Sequence, residues 1–303
     1  MKFTPSKQVK EAINNKTPVL ALESTIISSG MPYPKNIEFY NKASDICLSL
    51  GVVPATIAII RGEICVGLEQ KQVEHIATDE SVIKVPKSEI GVCMLKGLSG
   101  ATTVSSTAHI SHQIGIKVFA TGGIGGVHRG YSNTLDMSQD LNTIKNTPLV
   151  VVCSGVKSFL DVEKTVEALE TLGVTTLGFK TNSFPLFYSS YSKIRLQHRV
   201  NSSEEIIGIY KNNLETGLLS SVLVLNPIPE KNQIPNSEIN KIIDESIVDL
   251  TKNKITGKQA TPYLLKKIAK QTNNRSLDAN ISLATNNIKL GAKIAKELNG
   301  LPH

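Results

Sequence analysis

Tryptophan is absent from the chain, and phenylalanine and tyrosine supply seven residues each, an aromatic share of only 5%. Its core must be aliphatic, which favours a helix-covered sheet over an aromatic-rich β-sandwich. Cysteine is scarce as well. Cys47, Cys65, Cys93 and Cys153 lie far apart without a C-x-x-C pair, so neither a zinc knuckle nor a redox motif is indicated, and their apolar flanks suit reduced core thiols. No apolar segment is long enough to span a membrane. Met1 to Lys16 is polar and carries no cleavage signal. These absences imply a cytoplasmic protein, with organelle import left open. No repeat, low-complexity tract or Pro/Gly/Ser-rich linker divides the chain, so residues 1–303 are expected to form a single domain.

The chain has 303 residues, 40% of them hydrophobic, which is ample for one large core. Its formal charge is 33 − 26 = +7. A basic chain attracts anions, yet the lysines are scattered and form no dense run. A solvated basic surface is the plain reading. Nucleic acid is not expected as a partner, and a small phosphorylated substrate is compatible.

Short aliphatic runs read as buried strands: Val19 to Leu22, Ala55 to Ile60, Ile64 to Val66, Lys117 to Ala120, Leu149 to Cys153, Thr176 to Phe179 and Val222 to Leu225. Helical spacing lies between them. Asp161 to Leu172 carries Val162, Val166 and Leu169, and Ser202 to Glu205 has the form of a capping box. Asn236 or Ser237 is placed to cap a helix with Ile239, Ile243 and Leu250 inward. A last helix sets Leu277, Ile281, Ala284, Ile288, Ala292 and Ala295 on one stripe. Strands alternating with helices predict an α/β fold, layered α/β/α, with a largely parallel central sheet. Functional residues then belong beyond the C-terminal ends of the strands.

Several segments at such ends can carry chemistry. Gly122 to Gly130 places four glycines within five residues after a strand, leaving amides to approach an anion or letting a tight turn pack closely. His128 and Arg129 add donors. The stretch is not a dinucleotide fingerprint, because His128 stands where its third glycine belongs. Gly155-Val156-Lys157-Ser158 ends like a P-loop but lacks the required glycines. Lys157 is then either a desolvated, nucleophilic amine of the kind Schiff-base lysines use or a lysine snorkelling to the surface. Asp136 and Asp140, four apart with Ser138 between, either share a helical face that can hold a divalent ion or mark a helix start. Glu23, directly after a buried run, suits general acid–base work or a structural ion pair. Asn280 borders the last helical stripe and needs a partner. Lys84 is a lone cation in a strand-like segment.

Taken together, Ala21 to Ile27, Gly30-Met31-Pro32-Tyr33-Pro34, Ala101 to Val104, Phe119 to Gly130, Asp136 to Leu141 and Asn226-Pro227-Ile228-Pro229 resemble the pseudouridine-5′-phosphate glycosidase family, also called indigoidine synthase A-like. The similarity runs from about Val19 to the last helix. It implies reversible cleavage of the carbon–carbon glycosidic bond of pseudouridine 5′-phosphate to uracil and ribose 5-phosphate, in pseudouridine catabolism, by a lyase. It also implies a homotrimer, a manganese ion (Mn2+, with Mg2+ or another divalent ion an alternative) and a covalent lysine mechanism. By the matching segments, Lys157 is the nucleophile, Glu23 the proton donor and Asp136 the metal ligand. Lys84, Val104 through its backbone, His128, Ser138, Gln139, Asp140 and Asn280 meet the substrate. Many relatives carry His where this chain has Ser29. The chain has no room for a fused sugar kinase, so a separate pseudouridine kinase is expected upstream.

The chemistry explains why such residues are needed. A C–C glycosidic bond offers no heteroatom leaving group to protonate, so a carboxylate pair is insufficient and a lysine must form an electron-accepting adduct at C1′. Two rivals remain at this point: another Schiff-base lyase acting on a sugar phosphate, and a non-catalytic sugar-phosphate sensor.

Overall fold

The computed structural model of the chain describes residues 3–253, 255 and 260–300. Among them, eleven strands form one sheet: β1 (Phe3–Pro5), β2 (Val19–Leu22), β3 (Val53–Ile60), β4 (Glu63–Val66), β5 (Ile83–Val85), β6 (Gly100–Thr102), β7 (Val118–Ala120), β8 (Val150–Cys153), β9 (Thr175–Phe179), β10 (Arg199–Val200) and β11 (Val222–Leu225). Across the sheet the order is β1-β4-β3-β2-β7-β8-β11-β9-β10, with β6 on β3 and β5 on β6. Every pair is parallel except β3 with β4 and β3 with β6. The turn from β3 to β4 is Arg61-Gly62, with φ of 48° and 82°, as a two-residue type I′ hairpin requires.

The seven aliphatic runs are all strands, with ends shifted by at most two residues. Every residue of β8 and β11 is fully buried, as expected where helices cover both faces of a parallel sheet. One group of helices, Lys35–Ser49, Ser203–Glu215 and Arg275–Asn299, packs together with the last lying on β2, β7 and β8. A second group, Val104–Gln113 with Gln139–Lys145, lies against β2, β3 and β6. The layered, largely parallel α/β fold expected from the sequence is therefore present. No described helix is long and apolar enough to cross a membrane.

Three local expectations change. The helix expected from Asp161 runs Val162–Thr171, with Asp161 as its cap accepting from the Lys164 N–H at 3.1 Å. At Ser202 only half of the capping box forms. Its hydroxyl accepts from the Glu205 N–H, while the Glu205 carboxylate turns one residue further back, to the Asn201 N–H. Asn236 does not cap. It is the first residue of helix Asn236–Lys252, and its side chain donates to the Tyr191 carbonyl at 3.1 Å.

Helix Arg275–Asn299 is buried well beyond a single stripe. Ala279, Leu283 and Ile294 join Ala284, Ile288, Ala292 and Ala295 in the core, because sheet and helices surround it. Gly291 lets it press onto the sheet: a Cβ there would lie 3.0 Å from Leu20 Cδ1 and 3.1 Å from the Ala120 Cβ.

Candidate active site

Beyond β7 and β8 the two chains continue side by side. The Ser154 N–H donates to Gly122 O at 2.9 Å, Ile124 N–H to Gly155 O at 3.0 Å, and Lys157 N–H to Ile124 O at 3.1 Å. The glycine-rich segment is thus a paired ribbon fixed against the segment that carries Lys157. Its amides are largely committed. Gly125 N–H donates to Asp140 Oδ2 at 2.8 Å, Val127 N–H to Thr165 Oγ1 at 2.9 Å, and His128 N–H to Asp136 O at 3.0 Å. The expected cradle of open amides is therefore corrected to a closely packed wall.

None of Gly122, Gly123, Gly125 and Gly126 has positive φ. Space is what demands glycine. A Cβ at Gly123 would lie 2.6 Å from the Phe187 ring, and one at Gly126 2.4 Å from Thr165 Oγ1. At Gly125 it would lie 2.2 Å from Ser138 Oγ and 2.7 Å from Asp140 Oδ2. Gly125→Ala is expected to destabilise the protein by about 1–3 kcal/mol through overpacking, measured by urea unfolding. An unchanged midpoint would refute this account of the glycine.

Under this wall lies a small cleft whose lining includes Glu23, Lys84, Lys157, Phe187 and Asn280. Glu23 follows β2, Lys84 sits within β5, Lys157 stands beyond β8, and Asn280 projects from the last helix. Four residues singled out across 258 positions of sequence (280 − 23 = 257 apart, ends included) meet at one place. Glu23 is buried, and its carboxylate accepts from the hydroxyls of Thr25 and Thr121, which fix its orientation. Among the described residues it has no cationic partner, so the structural ion pair is not formed. The Asn280 side chain is 5% exposed at residue level and makes no hydrogen bond among the described residues, leaving its amide for a ligand.

His128 stands beside both lysines. Burial, then the positive charges of Lys84 and Lys157, hold its imidazole below the ordinary histidine value, against an opposing pull from Asp136. Its Nδ1 lies 3.6 Å from Asp136 Oδ2. At neutral pH its imidazole is therefore held chiefly in the neutral form, beside two lysines. Arg129 does not join them. Its guanidinium is paired with Asp244 of helix Asn236–Lys252 at 2.5 Å, which corrects its reading as an anion ligand.

Asp136 and Asp140 do not share a helical turn. Helix Gln139–Lys145 starts after Asp136, with Ser138 as its N-cap accepting from the Asp140 N–H at 3.2 Å. The capping preference of serine outweighs the four-residue spacing. Asp136 is left half exposed in the extended stretch paired with Val127. Asp140 is buried, taking the Ser105 N–H at 2.9 Å on one oxygen and the Gly125 N–H on the other. It thereby ties the start of helix Val104–Gln113, whose first residue is the buried Val104, to the glycine wall. Gln139 spans to Ser88, accepting from its N–H at 3.1 Å and donating to its hydroxyl at 2.8 Å. Its amide is thereby used within the protein.

No group of three or more His, Cys, Asp or Glu side chains able to hold a metal occurs among the described residues. One half-exposed carboxylate fits a hard ion that keeps most of its waters, as Mn2+ or Mg2+ does, and does not fit zinc. The sequence alone does not single out Thr25, Thr121 and Phe187 as site residues, although Thr25 and Thr121 lie within the segments Ala21 to Ile27 and Phe119 to Gly130. Thr121 lies 98 positions from Glu23, whereas Thr25 is only two residues from it. Nor does the sequence single out Asn287, fully buried on the last helix.

A family model described as "Indigoidine synthase A like protein" matches residues 8–297. A pseudouridine-5′-phosphate glycosidase of Caldanaerobacter subterraneus subsp. tengcongensis is 46% identical over 296 residues, covering 98% of this chain and 96% of the relative. One from Staphylococcus aureus is 43% identical over the same shares. The crystal structure of an indigoidine synthase A-like protein from Thermotoga maritima superposes with a TM-score of 0.89 at 40% identity, covering 94% of both chains. The prealnumycin C-glycosynthase AlnA, solved in complex with ribulose 5-phosphate, superposes at 0.90 with 30% identity, covering 98% of this chain and 97% of that one.

Proposed function

The chain belongs to the indigoidine synthase A-like family, and from that premise we propose that it cleaves pseudouridine 5′-phosphate into uracil and ribose 5-phosphate. The observation that carries this reading is the convergence of Glu23, Lys84, Lys157 and Asn280 on one cleft. That AlnA holds a pentulose phosphate on the same fold supports the sugar-phosphate half.

In the proposed reaction the Lys157 amine bonds to C1′ as the C1′–O4′ bond breaks, and O4′ takes a proton. The nitrogen lone pair then forms C=N, the C1′–C5 bond breaks, and C5 of the departing uracil takes a proton from Glu23. Water adds to the Schiff base, releasing ribose 5-phosphate and the free amine. Lys84 and His128 grip the phosphate, so that remote binding energy sets C1′ against the amine. Asn280 faces the base or the amine. Phe187 and Ile26 give the cleft an apolar wall, which excludes water.

Asp136 would hold the manganese ion through one carboxylate and water. The bound ion would supply positive charge and ordered water beside the substrate. Ser138, Gln139, Asp140 and the Val104 backbone, which do not themselves line the cleft, are assigned to the substrate by the family resemblance alone. We assign the protein to the cytoplasm as a homotrimer, supplied by a separate pseudouridine kinase.

Incubation with pseudouridine 5′-phosphate and manganese, with uracil followed, tests the reaction. Absence of uracil from folded protein would overturn it. Exhaustive chelation is expected to remove most of the activity, and added Mn2+ to restore it. Full activity of the chelated wild type would remove the metal from the scheme.

A further inference from the structure

Asn287 is fully buried on helix Arg275–Asn299, directly under the strand ends that carry the site. Its Nδ2 donates to the Thr121 carbonyl at 2.8 Å and to Ser154 Oγ at 3.0 Å, and lies 3.3 Å from the Gly122 carbonyl. Its Oδ1 accepts from Asn226 Nδ2 at 3.0 Å. Ser154 Oγ in turn donates to the Asn226 carbonyl at 2.8 Å. One side chain therefore joins the ends of β7, β8 and β11. The Asn226-Pro227-Ile228-Pro229 segment, prominent in the sequence, gains a purpose as the third arm of this hub.

Two of the three arms lead to proposed reacting groups. Thr121, held through its carbonyl, uses its hydroxyl on the Glu23 carboxylate. Ser154 begins the four-residue path to Lys157, whose own N–H is fixed on the glycine wall at Ile124. We infer that Asn287 is a positioning residue that sets the acid and the nucleophile in mutual register. This rests on the glycosidase reading given above. A buried network of this kind is rigid when every member is paired, and here every member is. A chain of fixed contacts from one amide to both groups is what a reaction needing acid and amine on one carbon requires.

The test compares Asn287→Ala and Ser154→Ala with Asn286→Ala. The last removes a bond from the same helix to the Pro227 carbonyl at 3.1 Å and leaves the hydrogen bonds among Asn287, Thr121, Ser154 and Asn226 in place. In folded protein, judged by circular dichroism, the two hub variants are expected to lose between about ten- and a hundredfold in kcat. KM should stay within about threefold, since phosphate grip is unaltered. Amide hydrogen exchange, read without substrate, should quicken in both 121–127 and 154–157. Asn286→Ala should change stability alone. Hub variants with wild-type kcat, or with exchange unchanged in either segment, would overturn the inference. An inactive wild type would instead strike the reaction assignment, and the exchange comparison would then decide the hub. Should Asn287→Ala not fold, Ser154→Ala carries the same comparison, having lost only a hydroxyl.

Discussion

Lys157→Ala is expected to abolish uracil release and to leave the fold in place. Lys157 is half buried at the mouth of the cleft, and no salt bridge is formed by it among the described residues. Its removal is therefore expected to change stability by no more than about 0.5 kcal/mol. Activity should fall on the order of 10³-fold or more, because the covalent step loses its nucleophile. Borohydride added with ribose 5-phosphate should fix the sugar onto the wild-type protein, and peptide mass analysis should place it at Lys157. A modification confined to Lys84, the neighbouring amine in the cleft, would reverse the roles of the two lysines.

The second large effect concerns the phosphate. Unphosphorylated pseudouridine is expected to forfeit the contacts proposed for Lys84 and His128, each a hydrogen bond to a charged phosphate contributing about 1.5–3 kcal/mol. Two such losses amount to roughly 10²- to 10⁴-fold in kcat/KM. The loss falls on kcat as well as KM, since grip on a non-reacting group is used to align C1′. Lys84→Ala should narrow the gap between nucleotide and nucleoside, having less grip to lose, and His128→Ala should narrow it if the imidazole reaches the phosphate. Comparable kcat/KM for the two substrates in the wild type would show that the cleft does not read phosphate. The net positive charge would then be ordinary solvated surface.

The sequence disclosed the parts of the molecule whose causes are local. Leu149 to Cys153 and Val222 to Leu225 read as strands because burial on both faces demands unbroken apolar runs. β5, β6 and β10, of two or three residues, are too short to show a period. Glu23 and Lys157 were legible as polar residues at the ends of such runs. What was not legible depends on distant partners. Four glycines announce close approach, but not that Asp140 and Thr165 would take the amides meant for an anion. Arg129 looked like a phosphate ligand because Asp244 lies 115 positions away. Asp136 and Asp140 seemed to form a pair until the cap at Ser138 divided them.

The position of helix Arg275–Asn299 in the chain carries a consequence for synthesis. It covers β2, β7 and β8 and brings both Asn280 and Asn287, yet it follows every strand of the sheet. At about 5–20 residues per second, a ribosome needs on the order of tens of seconds to pass from Glu23 to Asn287. Throughout that interval the apolar face that Leu20 and Ala120 present to Gly291 has no cover. The half-made chain therefore has the proposed nucleophile and acid without the helix proposed to keep them in register, and its central strands need provisional cover until that helix emerges. Competence for chemistry and protection from aggregation arrive in the same late event.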